Sequence, residues 1–264
     1  MTPNLTAWWP WATQTVTLYY TDGQFIVPVS RRMARNSDVP RATLQALLAG
    51  PTAGSGLTNP IPPGTEVRAF ELKGGVARID LSSAMLDDRV QAHAAETAIV
   101  ETMTALPDVA SVALSVNGRS AVDSARRTPL LYYASANGLV AVPTSATTPR
   151  AALAMYLSGP PGPGLTGLPS DVRLLSYAHD PADGLLSLNF GYTRSVRALA
   201  LEQPERMRLL LLGLIASLTE FPPVRSVRLD FEGQTRLGLG QCSDLLRTKQ
   251  PRPELLNDER LLGR

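Results

Sequence analysis

The sequence is built as two copies of one pattern, and this repeat constrains the fold more than any single residue does. Leu18-Tyr19-Tyr20 returns as Leu131-Tyr132-Tyr133, and Gly50-Pro51 returns as Gly159-Pro160. The offset is 113 residues for the first tyrosine (132 minus 19) and 109 for the glycine (159 minus 50). A repeat of this length has the size of a domain, whereas repeats in solenoids are roughly 20 to 50 residues long. The sequence therefore predicts a tandem duplication of one small domain.

Both copies show the same order of predicted elements. In the first copy, alternating apolar and polar residues flank Asp22-Gly23, a pair that favours a tight hairpin turn. Its predicted elements are strands 15–20 and 25–30, a helix 41–49, strands 65–72 and 76–81, a helix 90–106 and a strand 109–116. The second copy has strands 130–133 and 139–142, a helix 149–157, strands 172–177 and 185–190, a helix 204–221 and a strand 224–231. The chain is therefore predicted to be α+β, with two similar ββαββαβ domains, each a small mixed sheet with two helices packed on one face.

The predicted domain boundaries follow from these elements. The segments are an N-terminal tryptophan-rich stretch 1–14, a first repeat 15–122, a second repeat 127–233 and a C-terminal tail 234–264, which we expect to be a partly ordered arm. Residues 117–127 are polar and are predicted to be a short link. The last helix carries more apolar surface within 209–218 than a single helical stripe requires. We expect this helix to pack the two domains together, with contact to a second chain as the alternative.

Composition excludes several classes of protein. The 264 residues are 44% hydrophobic and carry a formal net charge of +2, so the chain can form a core but is not basic enough to indicate nucleic-acid binding. Cys242 is the only cysteine, which excludes an intrachain disulfide and a cysteine-based metal cluster. The most apolar window is shorter than the roughly 20 residues that span a bilayer. Residues 1–15 show no signal peptide, and we expect no transmembrane segment in this chain.

No motif has the context that a cofactor or metal site needs. Residues 162–167 match the letters of a dinucleotide-binding loop, but they follow a predicted helix and include Pro163, which lacks an amide donor. His93 and His179 lie at non-equivalent places in the two copies, and 180–184 is too short for a calcium-binding loop. We expect no cofactor, no metal and no catalytic residue.

Two groups of side chains are candidates for an interaction surface. Three tryptophans near the N-terminus have large apolar rings that we expect to be buried against a domain, a partner or a membrane interface, namely Trp8, Trp9 and Trp11. A short basic cluster follows the first predicted hairpin and is suited either to anionic envelope polymers and lipid headgroups or simply to solvent, namely Arg31, Arg32 and Arg35.

The order of motifs in each copy resembles the GerMN domain of bacterial sporulation and spore germination proteins. The residues that carry the resemblance are 47–51, 56–58, 61–67, 76–81 and 112–118, echoed by 156–160, 164–169, 185–190 and 227–233. The second copy departs from the pattern, since Pro169-Ser170-Asp171 replaces the Pro-Pro-Gly-Thr step of the first. The resemblance implies a non-enzymatic domain, held outside the cytoplasmic membrane, that acts in assembly of the spore or the cell envelope.

The function expected from this resemblance is a protein-interaction or assembly module of the bacterial cell envelope. Its partners would be other envelope proteins or further copies of the chain, with peptidoglycan as another candidate. Exposed edges of small sheets offer a route to such pairing. The alternative is a protein that binds or cleaves cell-wall glycan through carboxylates drawn from Asp80, Glu66 and Glu71, because glycan cleavage uses two carboxylates about 5 to 9.5 Å apart.

Overall fold

The computed structural model describes residues 13–34, 38–82, 89–232, 239–259 and 262, with the backbone only for 89–91. The chain forms two compact units. Unit 1 comprises Met1–Thr128 together with Asn257–Arg264, and unit 2 comprises Pro129–Leu256. The duplication predicted from the sequence is therefore present in the fold, and the last residues of the chain belong to the first unit.

Unit 1 contains a hairpin, two helices and a four-stranded sheet. Its elements are β1 (Thr13–Thr21), β2 (Ile26–Ala34), α1 (Val39–Leu48), β3 (Val67–Lys73), β4 (Val76–Leu81), α2 (Arg89–Thr104), β5 (Ser111–Val116) and β6 (Arg119–Ala125). The sheet has the order β3-β4-β5-β6, with a parallel pair at its centre and antiparallel pairs on both sides. The predicted order ββαββαβ is confirmed, and β6 is an additional strand in the stretch that was predicted to be a link.

Local chemistry explains why the hairpin and the first helix form where they do. The Asp22 carboxylate accepts hydrogen bonds from the N–H groups of Gln24 (2.9 Å) and Phe25 (2.7 Å), while Gly23 takes a φ of 96° that side chains disfavour. Asp38 caps α1 by accepting from the N–H of Arg41 (3.2 Å). These contacts stabilise the turn between β1 and β2 and the start of α1 through residues close in the sequence.

The core of unit 1 forms around α2. This helix contacts the hairpin strand β1, the sheet strand β5 and α1, and it buries apolar residues that include Ile99 and Met103. The inward side chains of β4 and β5 alternate with exposed or half-buried ones, so a single face of the sheet is apolar. The helix therefore holds the hairpin and the sheet in one unit, and the hairpin is not a member of that sheet.

Unit 2 repeats this plan with additions. Its elements are β7 (Leu130–Ser135), β8 (Gly138–Pro143), α3 (Pro149–Leu157), β9 (Leu174–Asp180), β10 (Leu185–Phe190), α4 (Arg194–Glu202), α5 (Pro204–Leu218), β11 (Ser226–Phe231), a 3₁₀ helix (Gly240–Leu245) and β12 (Gln250–Pro251). The sheet has the order β12-β11-β10-β9. Sequence analysis predicted neither α4 nor β12, and it expected a partly ordered arm where the 3₁₀ helix and β12 lie.

Helix α5 is the central helix of unit 2. Its described contacts within the unit include β7, β8, α3, α4 and β11. Gly213 faces β7 so closely that a side-chain carbon there would overlap the carbonyl oxygen of Tyr132. Leu209 and Leu212, which suggested an apolar surface beyond one stripe, are half-buried. The predicted helix is confirmed, and its expected role in packing the domains together stays a prediction.

A polar cluster ties the hairpin of unit 1 to α2. The N–H of Tyr19 donates to Thr102 Oγ1 (3.1 Å), and the Tyr19 hydroxyl accepts from Arg127 Nη2 (3.0 Å). Arg127 also lies over the Tyr19 ring and 3.9 Å from the carboxylate of Glu101. The cluster satisfies a backbone donor on a strand that would otherwise be buried without a partner.

Unit 2 builds the same cluster from different positions. The N–H of Tyr132 donates to Ser217 Oγ (2.8 Å), and the Tyr132 hydroxyl accepts from Arg252 Nη2 (2.8 Å). Arg252 forms an ion pair with Glu220 (2.6 Å). Glu220 follows Ser217 by three residues, whereas Glu101 precedes Thr102 by one, so the carboxylate has moved by one helical turn along the same face. The duplication thus preserves the interaction although the residues differ.

Candidate functional site

Arg31 lies in a cluster within unit 1. Its guanidinium forms two hydrogen bonds with the carboxylate of Glu259 (2.9 and 2.7 Å) and donates to the carbonyl oxygens of Ala46 (3.1 Å) and Gly50 (3.0 Å). It also lies over the ring of Tyr20. Four protein groups therefore hold this arginine in place.

Glu259 is the buried half of this ion pair, with 5% of its side chain exposed. Burial acts to raise the pKa of its carboxyl, but the hydrogen bonds from Arg31 and from the N–H of Thr52 outweigh burial, and the pKa is lowered. Next to it, Asn257 accepts from the N–H of Ser30 (2.9 Å) and donates its side-chain amide to the carbonyl of Pro28 (2.6 Å). These hydrogen bonds hold residues 257–259 alongside β2.

The other residues predicted for an interaction surface divide into two sets. Arg32 is exposed on β2, opposite Thr15 on β1. Trp8, Trp9, Trp11 and Arg35 lie outside the described residues. Arg32 is thus the member of the set that the structure places at the surface.

Strands β3 and β9 form equivalent outer edges of the two sheets. Among the described residues, neither strand has a partner on its outer side. Each contains a β-bulge at the same place, since one residue is skipped in the pairing of β3 with β4 at Arg68 and in the pairing of β9 with β10 at Leu175. A bulge re-aims a side chain and is a recurrent feature of strand edges and functional sites. Sequence analysis did not find these two positions.

In unit 1 the bulged residue joins a polar network. Arg68 Nη1 donates to Asn117 Oδ1 (2.6 Å), and Arg68 Nε lies 3.6 Å from Asp80 Oδ2. The other oxygen of Asp80 accepts from the N–H of Gly118 (2.8 Å) and from Ser115 Oγ (2.7 Å). The network crosses three strands at the end where β4 and β5 both finish.

A shallow groove of about 390 Å³ lies on the outer face of this sheet. Small side chains form part of it, including Ala69, Ala113 and Ser120, and the carboxylates of Glu71 and Asp123 border it. Asp123 accepts a hydrogen bond from Ser120 Oγ (2.5 Å). The groove is a candidate ligand site of unit 1.

Asp80, one of the carboxylates named for glycan chemistry, lacks the environment that a general acid needs. The pKa of Asp80 is lowered by the N–H of Gly118, then by Ser115 and Arg68, whereas a general acid requires a raised pKa. Asp80 and Glu71 both line the groove, while Glu66 is exposed before β3. Asp80 is therefore not suited to act as a general acid in this groove.

The remaining candidates have local structural roles or no described partner. In the loop 162–167, Thr166 exchanges two backbone hydrogen bonds with Ala134 (2.7 and 3.3 Å), which ties the loop to β7. His93 is exposed on α2, and His179 on β9 has a buried Nε2 without a hydrogen-bond partner.

Within the described part of the chain, no group of three or more His, Cys, Asp or Glu side chains is arranged to hold a metal ion. No described helix has both the length and the apolar character needed to span a membrane.

Each unit contains a hairpin, helices and a sheet with an exposed edge strand. The protein is therefore an α+β protein of two tandem domains. Its sequence matches the profile of the family "Germane: Sporulation and spore germination" at residues 17–122 and 130–237. The chain belongs to this family, with one GerMN domain in each unit. The resemblance identified from the sequence is confirmed.

Individual relatives agree with this assignment. The chain is 31% identical over 120 residues to the spore germination protein GerM of Bacillus subtilis (strain 168), a match that covers 41% of this chain and 33% of that protein. The structure of the tandem GerMN domains of the sporulation protein GerM from Bacillus subtilis superposes with a TM-score of 0.69 at 18% identity, covering 94% of this chain and 99% of that one. The structure of the first GerMN domain alone gives a TM-score of 0.36 over 43% of this chain. The tandem match shows that the fold is shared.

Proposed function

We propose that this chain is a non-enzymatic assembly module of the bacterial cell envelope that acts outside the cytoplasmic membrane. The observation that carries the proposal is the pair of equivalent edge strands, β3 and β9, at the margins of the two sheets. An exposed strand edge presents backbone donors and acceptors that pair readily with a strand of another chain. Membership in a sporulation and germination family supports a role in the envelope.

The two edges differ in how they are protected against pairing. Strand β3 exposes Arg68, Glu71 and Lys73, and charged side chains on an edge strand discourage association. Strand β9 instead exposes Leu175, with 55% of its surface accessible, and the small residue Ala178 at the positions of Arg68 and Glu71, and it keeps an exposed charge at its end, Asp180. We therefore assign the contact to β9, which pairs with the same strand of a second copy.

The test is self-association of the full chain, measured by light scattering during size exclusion over a concentration series. Ala178→Lys places a charge on the β9 edge at the position that Glu71 occupies on β3, and it is expected to abolish association. Ser195→Lys, an exposed position on α4, is the control and should associate like the wild type. A wild type that stays monomeric at every concentration, or equal association of both variants, would refute the assignment.

The N-terminal tryptophans remain a proposed second contact surface, together with the exposed Arg32 and with Arg35. A chain beginning at Thr15, which removes Trp8, Trp9 and Trp11, distinguishes this surface from β9. If the tryptophans provide a contact, association weakens in the shortened chain even when β9 is intact. Association unchanged by the truncation would remove the tryptophans from the proposal.

A second candidate function, binding of cell-wall glycan, rests on the groove of unit 1. Its volume of about 390 Å³ lies within the range of small-molecule sites, and its carboxylates could accept hydrogen bonds from sugar hydroxyl groups. Sedimentation with purified peptidoglycan tests it, with Ala113→Trp as the variant that fills the groove. Retention that Ala113→Trp abolishes would support glycan binding. Release of soluble glycan that is lost in Asp80→Ala would show cleavage instead.

A further inference from the structure

The end of the sheet in unit 2 has the same backbone as the end that holds the Arg68 network in unit 1. The N–H of Asn117 donates to the carbonyl of Leu81 (2.9 Å), and the equivalent N–H of Glu232 donates to the carbonyl of Phe190 (2.6 Å). Asn117 and Glu232 also share a left-handed conformation, with φ values of 49° and 53°. With the bulge at the same place in both edge strands, unit 1 serves as a template for distances in unit 2.

The side chains at these matched positions differ in a consistent way. Leu175 stands where unit 1 has Arg68, and Glu232 stands where unit 1 has Asn117. Asp230 on β11 occupies the position of Ser115 on β5. Asn189 on β10 stands where unit 1 has Asp80. Unit 2 has therefore lost the arginine and the carboxylate that faces it, and it carries carboxylates at two other positions of the network, Asp230 and Glu232.

Both carboxylates have unused hydrogen-bonding capacity. Asp230 Oδ2 accepts from Arg228 Nε (3.1 Å), but Asp230 Oδ1 is buried without a hydrogen-bond partner. Glu232 is exposed, and its carboxylate forms no hydrogen bond or ion pair with the described residues. A buried acceptor without a donor is unfavourable, so a donor supplied from outside would be favourable here.

The backbone conformation of Glu232 also supports a ligand site here. Asparagine tolerates the left-handed region, which explains Asn117 in unit 1, whereas glutamate has no side chain suited to it. Strained positions of this kind cluster at sites of ligand contact. A cationic partner would stabilise a glutamate at this strained position, beside an acceptor that lacks a donor.

We propose that Leu175, Asp230 and Glu232 form a binding site for an arginine side chain of a partner segment. The guanidinium takes the place of the Arg68 guanidinium in unit 1. There, Arg68 at the bulge of β3 donates to Asn117, the residue after β5, at 2.6 Å. Leu175 supplies apolar contact to an aliphatic residue next to that arginine. The partner is thus a segment that presents an arginine beside an aliphatic side chain. The inference rests on the proposed interaction function but concerns the end of the sheet, not pairing along β9.

The test is titration of the ¹⁵N-labelled full chain with the peptide acetyl-Leu-Arg-Leu-amide, monitored by NMR chemical shifts. The expected result is saturable shifts at the amides of Leu175 and Glu232, with a dissociation constant on the order of 1 mM, typical of one anchoring pair. The same peptide with citrulline in place of arginine keeps the shape without the charge, and it should bind at least tenfold more weakly. Equal binding of the two peptides would overturn the proposal.

Variants locate the site. Leu175→Arg supplies the guanidinium from within the chain, as unit 1 does, and Glu232→Gln removes a carboxylate. Each should weaken binding of the arginine peptide at least tenfold. Leu201→Arg adds the same charge at a leucine that is 61% exposed on α4, and it should bind like the wild type. Equal loss in Leu201→Arg and Leu175→Arg would show a general charge effect and overturn the proposal.

The two proposals fail separately. Glu232→Gln leaves the residues of β9 unchanged, so its self-association in light scattering should equal that of the wild type. Absent arginine binding with self-association intact overturns the arginine site alone. Arginine binding in a chain that never self-associates supports the site and overturns pairing through β9.

Discussion

Removal of the carboxylate of Glu259 is expected to destabilise unit 1 strongly. In Glu259→Ala, Arg31 loses two charge-assisted hydrogen bonds, although its side chain is about four-fifths buried in the wild type. Breaking a buried ion pair from one side costs about 3 to 5 kcal/mol. Because Arg31 keeps the carbonyls of Ala46 and Gly50 and some solvent, we expect about 3 kcal/mol, the lower end of that range.

The assay is native-state hydrogen exchange combined with urea unfolding followed by far-ultraviolet circular dichroism. The reporter is the N–H of Ser30, which donates to Asn257 in the same segment. Its protection factor should fall by about two powers of ten for a loss of about 3 kcal/mol. The double variant Arg31→Met, Glu259→Leu should lose less than the sum of the single changes, because no charge is left buried alone.

Acid should remove the same contribution. The pKa of Glu259 is lowered in the folded protein, so its stabilisation is present above the ordinary glutamate pKa of about 4.3 and is lost as pH falls through the folded value. The stability difference between the wild type and Glu259→Gln should therefore be constant near pH 7 and shrink below about pH 4. A difference under about 1 kcal/mol at pH 7, or one that grows on acidification, would refute this reasoning.

Three further predictions concern the packing of the helices and the tyrosines. Gly213→Ala should lower thermal stability, because overlap with the Tyr132 carbonyl exceeds the gain of about 1 kcal/mol in helix propensity; a raised melting temperature would contradict the close approach. Ser217→Ala should cost about 1 to 3 kcal/mol in urea unfolding, because the buried N–H of Tyr132 loses its acceptor; a neutral result would mean that another acceptor replaces it. Burial raises the pKa of Tyr20 and Tyr133 to about 12, so stability should decline as pH rises from about 10 toward 12, and absorbance at about 295 nm should show late-titrating tyrosines; full titration of every tyrosine near pH 10 would contradict their burial.

The sequence predicted those parts of the fold whose signals are local. Asp22-Gly23 marked the first hairpin, and the alternation in β4 and β10 placed both strands with their observed bounds. The missed strand β6 also has a local signal, because Asn117-Gly118 is a strong hairpin turn pair. Its residues are mostly polar and exposed, so no buried face revealed it. Helix α4 has a similar signal in the capping residue Thr193.

The candidate sites depend on pairings that no local pattern encodes. Arg31 and Glu259 are 228 residues apart, and nothing near Arg31 in the sequence indicates a buried partner. The bulges at Arg68 and Leu175 depend on strand register, which is set by contacts between strands. Alignment of the two repeats could have shown that arginine and leucine exchange at this position, but not that the position lies at a sheet edge.

Pairing of β9 with the same strand of a second copy can be followed residue by residue through amide hydrogen exchange of the full chain across a concentration series. We expect exchange to slow with concentration within Leu174–Asp180 of β9 and to stay constant within Val67–Lys73 of β3, because β9 has Leu175 and Ala178 where β3 has the charged residues Arg68 and Glu71. Exchange that is independent of concentration in both strands, or that slows equally in both, would show that β9 is not the assembly edge.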